Sequence, residues 1–442
     1  MKILILTQYY PPEVGAAQVR LKATVDHLVA AGHDVQVVTA LPNHPRGRIF
    51  DGFRDRFYDR EDGDHVVIHR VWLHVALGAG ASRLASYLSF AATSVAGLVR
   101  AERPDVIFVE SPPLFLGLTG WVAASAWRRP WILNISDLWP DSIRELGLLP
   151  DGRALRLAEK LERFLYRRAD LITAVTEGIA TTLTDAKDVP RERVLFLPNG
   201  VDTELFRPRA EAAGVRERFG LDDRKVVLYA GTVGFAHGAG VILDAAELLA
   251  ERDVLFVIAG DGSERERTEA DARRRGLGNV RFLGAVAQED VAGLYTVAFA
   301  GLSTLRDLPL FEGTRPAKVF PCFASGTPIV YSGAGEGARL VGDGDAGIVV
   351  APEDGAGIAR ALEQLLDDPA LAARLGANGR RLALERFGWD ALVGNWLEQL
   401  ERALPRLASP AAAPPPPSRP SDTRGECHLD IPAEPRQSET RP

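Results

Sequence analysis

Three turns in this sequence bring together the residue types that hold a phosphate. The first is Pro11-Pro12-Glu13-Val14-Gly15-Ala16-Ala17, where Gly15 and Ala16 open a helix after an apolar run. Small residues at a helix N-terminus let backbone N–H groups approach an anion or a sugar, although a plain strand-to-helix turn uses them equally well. The spacing is not GxGxxG, so the dinucleotide fingerprint is absent. The second turn is Gly231-Thr232-Val233-Gly234, with His237 and Gly238 in the same loop. A following helix end would supply orphan donors and a partial positive charge; the alternative is two glycines serving a tight turn. The third is Thr314-Arg315-Pro316-Ala317-Lys318. It reads as a helix start with Pro316 in the first helical position, where a missing N–H costs nothing. Arg315 and Lys318 add two cations to an end already suited to anions, unless they form a solvated basic pair. Together the turns suit a diphosphate held between two domains, with N–H groups and cations aimed at the charge of a departing phosphate. No DxD pair follows a strand, so nothing demands a metal. Asp137 and Asp141 flank Trp139-Pro140 and serve either the cleft or the start of a helix.

The elements that must position these turns repeat in two halves. Apolar runs at 2–7, 34–39, 65–73, 105–110, 131–135, 171–175 and 194–197 read as strands, with helical periodicity at 17–31 and 82–100. The pattern restarts with strands at 226–230, 254–259, 280–283, 298–302 and 328–331. Helices at 241–251, 263–275, 287–296 and 317–325 separate them, and helices at 356–366, 369–384 and 389–404 follow. Such alternation predicts parallel sheets with helices on both faces, and ligands outside the carboxyl ends of the strands. The expected division is 1–205, 206–404 and a Pro-rich, disordered tail at 405–442.

Composition narrows the class. The 442 residues are 46% hydrophobic and 25% charged, enough for two cores. A net charge of −7 argues against general nucleic-acid binding. Two cysteines, Cys322 and Cys427, make neither a disulfide framework nor a zinc motif and fit a reducing compartment. The first apolar run is too short for a signal peptide, and no apolar stretch reaches about 18 residues, the length that spans a bilayer. The nearest stretches, 84–99 and 114–127, read as buried helices, with monotopic membrane contact as the alternative. Arg153, Arg156, Lys160, Arg163 and Arg167 recur at spacings of three and four, so they share one helix face. Glu159 and Glu162 interrupt that positive field. The face is either solvated or turned to an anionic membrane or a lipid diphosphate.

Taken together, these segments resemble family 4 of the glycosyltransferases, in the subgroup of bacterial L-fucosamine transferases of polysaccharide synthesis. The resemblance rests on Tyr10-Pro11-Pro12-Glu13-Val14-Gly15-Ala16, Leu41-Pro42-Asn43-His44-Pro45, Asp137-Leu138-Trp139-Pro140-Asp141-Ser142, Pro198-Asn199-Gly200-Val201-Asp202, Gly260-Asp261-Gly262, Pro316-Ala317-Lys318-Val319-Phe320 and Ala324-Ser325-Gly326-Thr327-Pro328. It implies a GT-B fold: two doubly wound, Rossmann-like α/β domains facing each other across a cleft, with the last helix crossing back. It further implies a retaining enzyme, with acceptor binding in the first half and nucleotide-sugar binding in the second. Gly15 and Ala16 would approach the donor, and Asp137 would lie beside the transferred sugar. Gly231 and Lys318 would hold the diphosphate, with Thr232, Gly234, His237, Gly262, Thr314 and Arg315 as further candidates for donor binding. Val286 would meet the base through its backbone, and Glu312 would face the sugar or the phosphate loop.

The expected partners are a nucleotide-sugar, most simply UDP-linked, and a glycan, lipid-linked or small-molecule acceptor. No cofactor or metal is implied, and the expected location is cytoplasmic, with peripheral contact at the inner face of the plasma membrane. The resemblance implies same-face attack assisted by the leaving diphosphate; double displacement would need Asp137 as nucleophile. One departure stands out: the family's ribose-binding Glu is Pro321 here, and the usual Arg and Lys of the diphosphate loop are Thr232 and His237. Those changes keep open a degenerate, non-catalytic scaffold. A nucleotide-sugar epimerase is the remaining alternative on this fold.

Overall fold

A computed structural model describes residues 1–13, 15–44, 47–76, 81–145, 152–210 and 214–408. Of the tail expected at 405–442, residues 405–408 are instead the end of helix Trp389–Ala408, and 409–442 lie outside the described residues. In the first half the strands are β1 (Lys2–Leu6), β2 (Asp34–Ala40), β3 (Tyr58–Gly63), β4 (Val66–Val71), β5 (Val106–Ser111), β6 (Trp131–Ile135), β7 (Leu171–Ala174) and β8 (Val194–Phe196). They form one sheet in the order β3-β4-β2-β1-β5-β6-β7-β8. Pairing is parallel except for the β3–β4 hairpin at the edge. The second half contributes β9 (Lys225–Ala230), β10 (Val254–Ala259), β11 (Val280–Gly284), β12 (Ala298–Thr304), β13 (Ile329–Ser332) and β14 (Gly347–Val350). These make a parallel sheet in the order β11-β10-β9-β12-β13-β14.

The apolar runs become strands because helices cover both sheet faces, so both side-chain directions must be apolar. On one face of the first sheet, helices Ala81–Arg100, Leu116–Trp127 and Arg153–Arg168 deliver Phe90, Leu116 and Leu165 into a single core. On the other face, helix Ala16–Ala30 delivers Leu21, Val25 and Leu28, and the final helix Trp389–Ala408 delivers Trp389, Val393, Trp396 and Leu400. This helix, the last among the described residues, thus packs in the first domain's core. The Trp396 indole N–H donates to the Thr173 hydroxyl on β7 at 3.2 Å.

The chain crosses between domains twice, and the crossings lie side by side. The Val201 N–H donates to the Phe387 carbonyl at 2.9 Å, and the Trp389 N–H donates to the Val201 carbonyl at 3.3 Å. Val201 and Phe206 pack in the second domain's core. That places the first crossing a few residues before the boundary expected at 205. Arg380 ties the linker down: its Nη1 donates to the carbonyls of Thr203, Phe206 and Ala324 at 3.0, 3.0 and 2.8 Å.

Candidate active site

The two domains meet at the carboxyl ends of their sheets. The segment after β7 opens helix Glu177–Asp185, capped by Thr176, whose hydroxyl accepts from the Ile179 N–H. Across the interface, Glu336 presents its carboxylate to the Glu177 and Gly178 N–H groups at 3.1 and 2.9 Å. The loops after β1, β2 and β6 in the first domain, and after β9, β10 and β12 in the second, therefore face the same cleft.

In the second domain, Lys318 immediately precedes helix Val319–Ala324. Its stem lies along Gly231; a Cβ at Gly231, whose φ is +145°, would sit 2.8 Å from the Lys318 Cε. Only glycine leaves that space. The ammonium stands 5.0 Å from the centre of the buried Tyr229 ring, and among the described residues it has no carboxylate partner. Burial pushes its pKa down to about 7. His237 stands close enough to feel that charge. Burial first, and the Lys318 ammonium second, hold its imidazole near 3, so it is neutral. Its Nδ1 is buried without a hydrogen-bond partner. Its own backbone is fixed: the N–H donates to the Gly234 carbonyl, and the carbonyl accepts from the Thr304 hydroxyl at 2.6 Å. Thr232 is exposed at the loop tip and Gly234 is buried beneath it. Gly262 lies in the next loop, stacked on the Val233 carbonyl. Val286 is half-buried between β11 and helix Gln288–Tyr295, packed on the domain core.

The third turn departs from expectation. Its helix begins at Val319, not at Pro316, and ends at Ala324. A single turn, with the Val319 N–H on the Pro316 carbonyl, leads into it. Thr314 is half-buried before that turn. Arg315, expected beside the diphosphate, is buried and taken by two carboxylates. Its Nε lies 2.5 Å from Glu336, and its Nη2 lies 2.8 Å from Glu177 of the first domain. Glu312 is exposed, while its carbonyl receives the Glu336 N–H at 2.6 Å. Pro321 is the third residue of the helix, so its absent N–H is one that would have no intrahelical partner anyway. The helix loses nothing, but the side chain offers no oxygen.

The first domain contributes a carboxylate and a buried scaffold. Asp137 follows β6 and meets solvent in the cleft. Even so, desolvation by the surrounding protein raises its pKa; the Ser142 hydroxyl at 3.0 Å opposes that rise and the charge of Asp141 adds to it. Asp141 is engaged elsewhere, with Lys187 at 2.7 Å. Beneath this loop, buried Arg20 donates to Glu110 at 2.7 Å, to the Ser136 hydroxyl at 2.5 Å and to Asn199 at 2.9 Å. Ser136, the residue preceding Asp137, is held by three groups: its hydroxyl accepts from Arg20 and Asn134 and donates to Glu110. Gly15 sits in extended backbone at the start of helix Ala16–Ala30, with the buried Gln18 side chain folded back over it. Glu13 is 3% exposed, and its Oε1 accepts from the Asn43 and His44 N–H groups at 2.7 and 2.8 Å. Its Oε2 is buried without a partner, and burial raises its pKa to about 7.

Sequence reasoning missed Glu336, Glu177 and the Arg20–Glu110 pair as organisers of the site. For Glu336 the only signal is its place between two glycines just after a predicted strand. Nothing in the sequence marks the others, because their partners are distant until the chain folds.

Comparison with known proteins follows the same division. Residues 15–200 match the glycosyl transferase 4-like domain, and residues 224–368 match the group 1 glycosyl transferases. A putative colanic acid biosynthesis glycosyl transferase of Escherichia coli K12 is 30% identical over 291 residues, covering 64% of this chain and 71% of that protein. A D-inositol 3-phosphate glycosyltransferase of Streptomyces bingchenggensis is 30% identical over 312 residues, 67% of each chain. Among solved structures, Anabaena HepE in complex with UDP and glucose superposes with a TM-score of 0.67 at 20% identity, covering 91% of this chain and 99% of that one. This last likeness is one of fold.

Proposed function

The chain belongs to the glycosyltransferase 4-like family, and from that membership we propose that it moves a sugar from a UDP-linked donor to an acceptor hydroxyl with the anomeric configuration retained. The observation that carries the reading is Lys318: a desolvated ammonium without a carboxylate partner among the described residues, laid over Gly231 where the loop after β9 meets the cleft. A buried cation without a counter-ion is costly unless an anion completes it. A diphosphate does so, with neutral His237 supplying a hydrogen bond beside the charge.

The chemistry follows from what these groups can do. In same-face attack the acceptor hydroxyl approaches the anomeric carbon from the side the diphosphate leaves, and the leaving phosphate oxygen takes the hydroxyl proton. Lys318 stabilises the charge that builds on that oxygen, and the closed cleft holds both substrates in register. Asp137 lines the acceptor half, where its carboxylate orients the sugar or the incoming hydroxyl. The acceptor is a glycan, a lipid-linked sugar or a small molecule.

Two surface features support contact with an anionic membrane. Arg153, Arg156, Lys160, Arg163 and Arg167 are all exposed on helix Arg153–Arg168. The acids that interrupt them in sequence are engaged elsewhere: Glu159 with Arg144 at 3.3 Å, and buried Glu162 with Lys187 at 2.9 Å. Leu157 is 69% exposed on the same helix; Val122 is exposed on helix Leu116–Trp127, which packs against it, and Leu88 and Val99 are exposed on helix Ala81–Arg100, which packs against Leu116–Trp127 in turn. No helix among the described residues is long and apolar enough to cross a membrane. Replacing Arg156, Lys160 and Arg163 with Glu should abolish sedimentation with anionic liposomes; unchanged binding removes this part of the reading.

Thermal shift tests the donor assignment. UDP-linked sugars should raise Tm more than GDP- or dTDP-linked ones, and the rise should vanish in Lys318→Met. If no nucleotide shifts Tm, the donor reading fails for the panel.

A further inference from the structure

Among the described residues Glu336 and Lys318 form no ion pair, yet three groups converge on the Glu336 carboxylate. Its carboxylate is 4% exposed, accepts the first two N–H groups of helix Glu177–Asp185, and pairs with Arg315 at 2.5 Å. With Thr176 taking the Ile179 N–H, that leaves one of the helix's four orphan donors to be met otherwise. The cap therefore comes from the other domain, and its charge opposes the positive end of the helix macrodipole. Arg315 closes the arrangement by reaching back to Glu177 at 2.8 Å, over the Phe196 ring.

Contact beside this cap is backbone against backbone. A Cβ at Gly178 would lie 2.6 Å from the Gly313 Cα, so only glycine lets the two domains come this close. Gly313 belongs to the loop that leads from Glu312 to Lys318, and the Glu312 carbonyl receives the Glu336 N–H. One residue thus grips both the far domain and the loop that carries Lys318.

We propose that Glu336 is a positioning residue: by capping helix Glu177–Asp185 across the cleft, it couples closure of the two domains to the placement of the Lys318 loop for transfer. When the domains part, the Glu336 carboxylate loses two helix N–H groups and the Arg315 guanidinium loses Glu177 in the same event, while the Arg315–Glu336 pair stays within the second domain, so closure is cooperative. The donor's contacts at Gly231 and Lys318 lie within one domain and survive opening; transfer, which needs both halves, does not. The kinetic part of the proposal rests on the transferase reading given above, while the structural part does not.

The test uses the full chain with Glu336→Ala, Glu336→Gln and Gly178→Ala. The Gln variant keeps one acceptor oxygen but replaces the other by donors. The Gly178 variant leaves every charge in place and obstructs the approach sterically. In Glu336→Ala and Gly178→Ala, kcat should fall about tenfold or more while donor Kd stays within about threefold, and Glu336→Gln should fall between them and wild type. Small-angle scattering should show a larger radius of gyration for both strong variants than for wild type, whether or not a donor has been found. A wild-type radius in both strong variants overturns the proposal, as does a kcat loss matched by an equal loss of donor affinity. If wild type transfers from no donor yet the variants still expand, the transferase reading fails and the interdomain cap stands.

Discussion

Replacing Lys318 with Met should remove a pH dependence of donor binding that wild type displays. Burial holds the free ammonium near pH 7, and a diphosphate against it must raise that pKa. Binding then takes up a proton above pH 7, and the apparent Kd grows as 1 + 10^(pH − 7) until the bound pKa is reached. The factor is about 1.3 at about pH 6.5 and about 33 at about pH 8.5. Donor affinity should therefore weaken about 25-fold across that span, or about 1.9 kcal/mol. His237 is neutral throughout the range, since its own pKa lies near 3, and the diester phosphates of a nucleotide-sugar do not titrate there. Lys318→Met should bind about 10- to 100-fold more weakly at the acid end, as befits a lost charge-assisted hydrogen bond, and show no slope. The assay is calorimetric titration with the nucleotide-sugar that gives the largest thermal shift, in two buffers of different ionisation enthalpy. Wild type should take up close to one proton per donor near pH 8. A flat Kd without proton uptake would refute the placement of Lys318 against the diphosphate.

Pro321→Glu restores a carboxylate one helical turn from Lys318 and should tighten nucleotide binding about tenfold or more in calorimetry; unchanged affinity would mean the ribose does not reach this position. Glu13→Gln removes a buried acid whose pKa is raised from 4.5 to about 7. A raised acid penalises its ionised form, so wild-type stability should fall as pH climbs from about 5 to 8, by up to about 3 kcal/mol from this group. Urea melts at the two pH values should show that fall in wild type and its loss in Glu13→Gln. Intact-mass spectrometry of the enzyme mixed with donor alone should show no sugar on Asp137; an adduct there would replace same-face attack by double displacement.

Much of the fold was legible because parallel strands buried on both faces read as short apolar runs, as at Trp131–Ile135 and Val254–Ala259, where the expected bounds match the observed ones. Strand Tyr58–Gly63 was not legible. It is an edge strand of sequence YDREDG, whose charges blunt further pairing and erase the alternation that marks a strand. The short edge strand Gly347–Val350 and helix Gly335–Asp343 were hidden by glycines. In the candidate site, Gly231 and His237 could be named because a strand end locates the loop that carries them, and Lys318 because Pro316 and two cations mark a helix start. The use of Arg315 could not be read. Its partner Glu177 lies 138 residues away, and Glu336 belongs to a helix the periodicity did not reveal. The same arginine beside a helix start reads as an anion site in sequence and proves to be an interdomain tie in the fold.

The central claim is sugar transfer with retention across the cleft, driven by the charge at Lys318. Its most direct test is proton NMR of the anomeric signal in the product formed from a panel of UDP-linked donors and candidate acceptors, with Lys318→Ala run in parallel. The product should carry the donor's own anomeric configuration and appear at least about a hundredfold more slowly with Lys318→Ala. An inverted product, or transfer unaffected by the loss of Lys318, would contradict it.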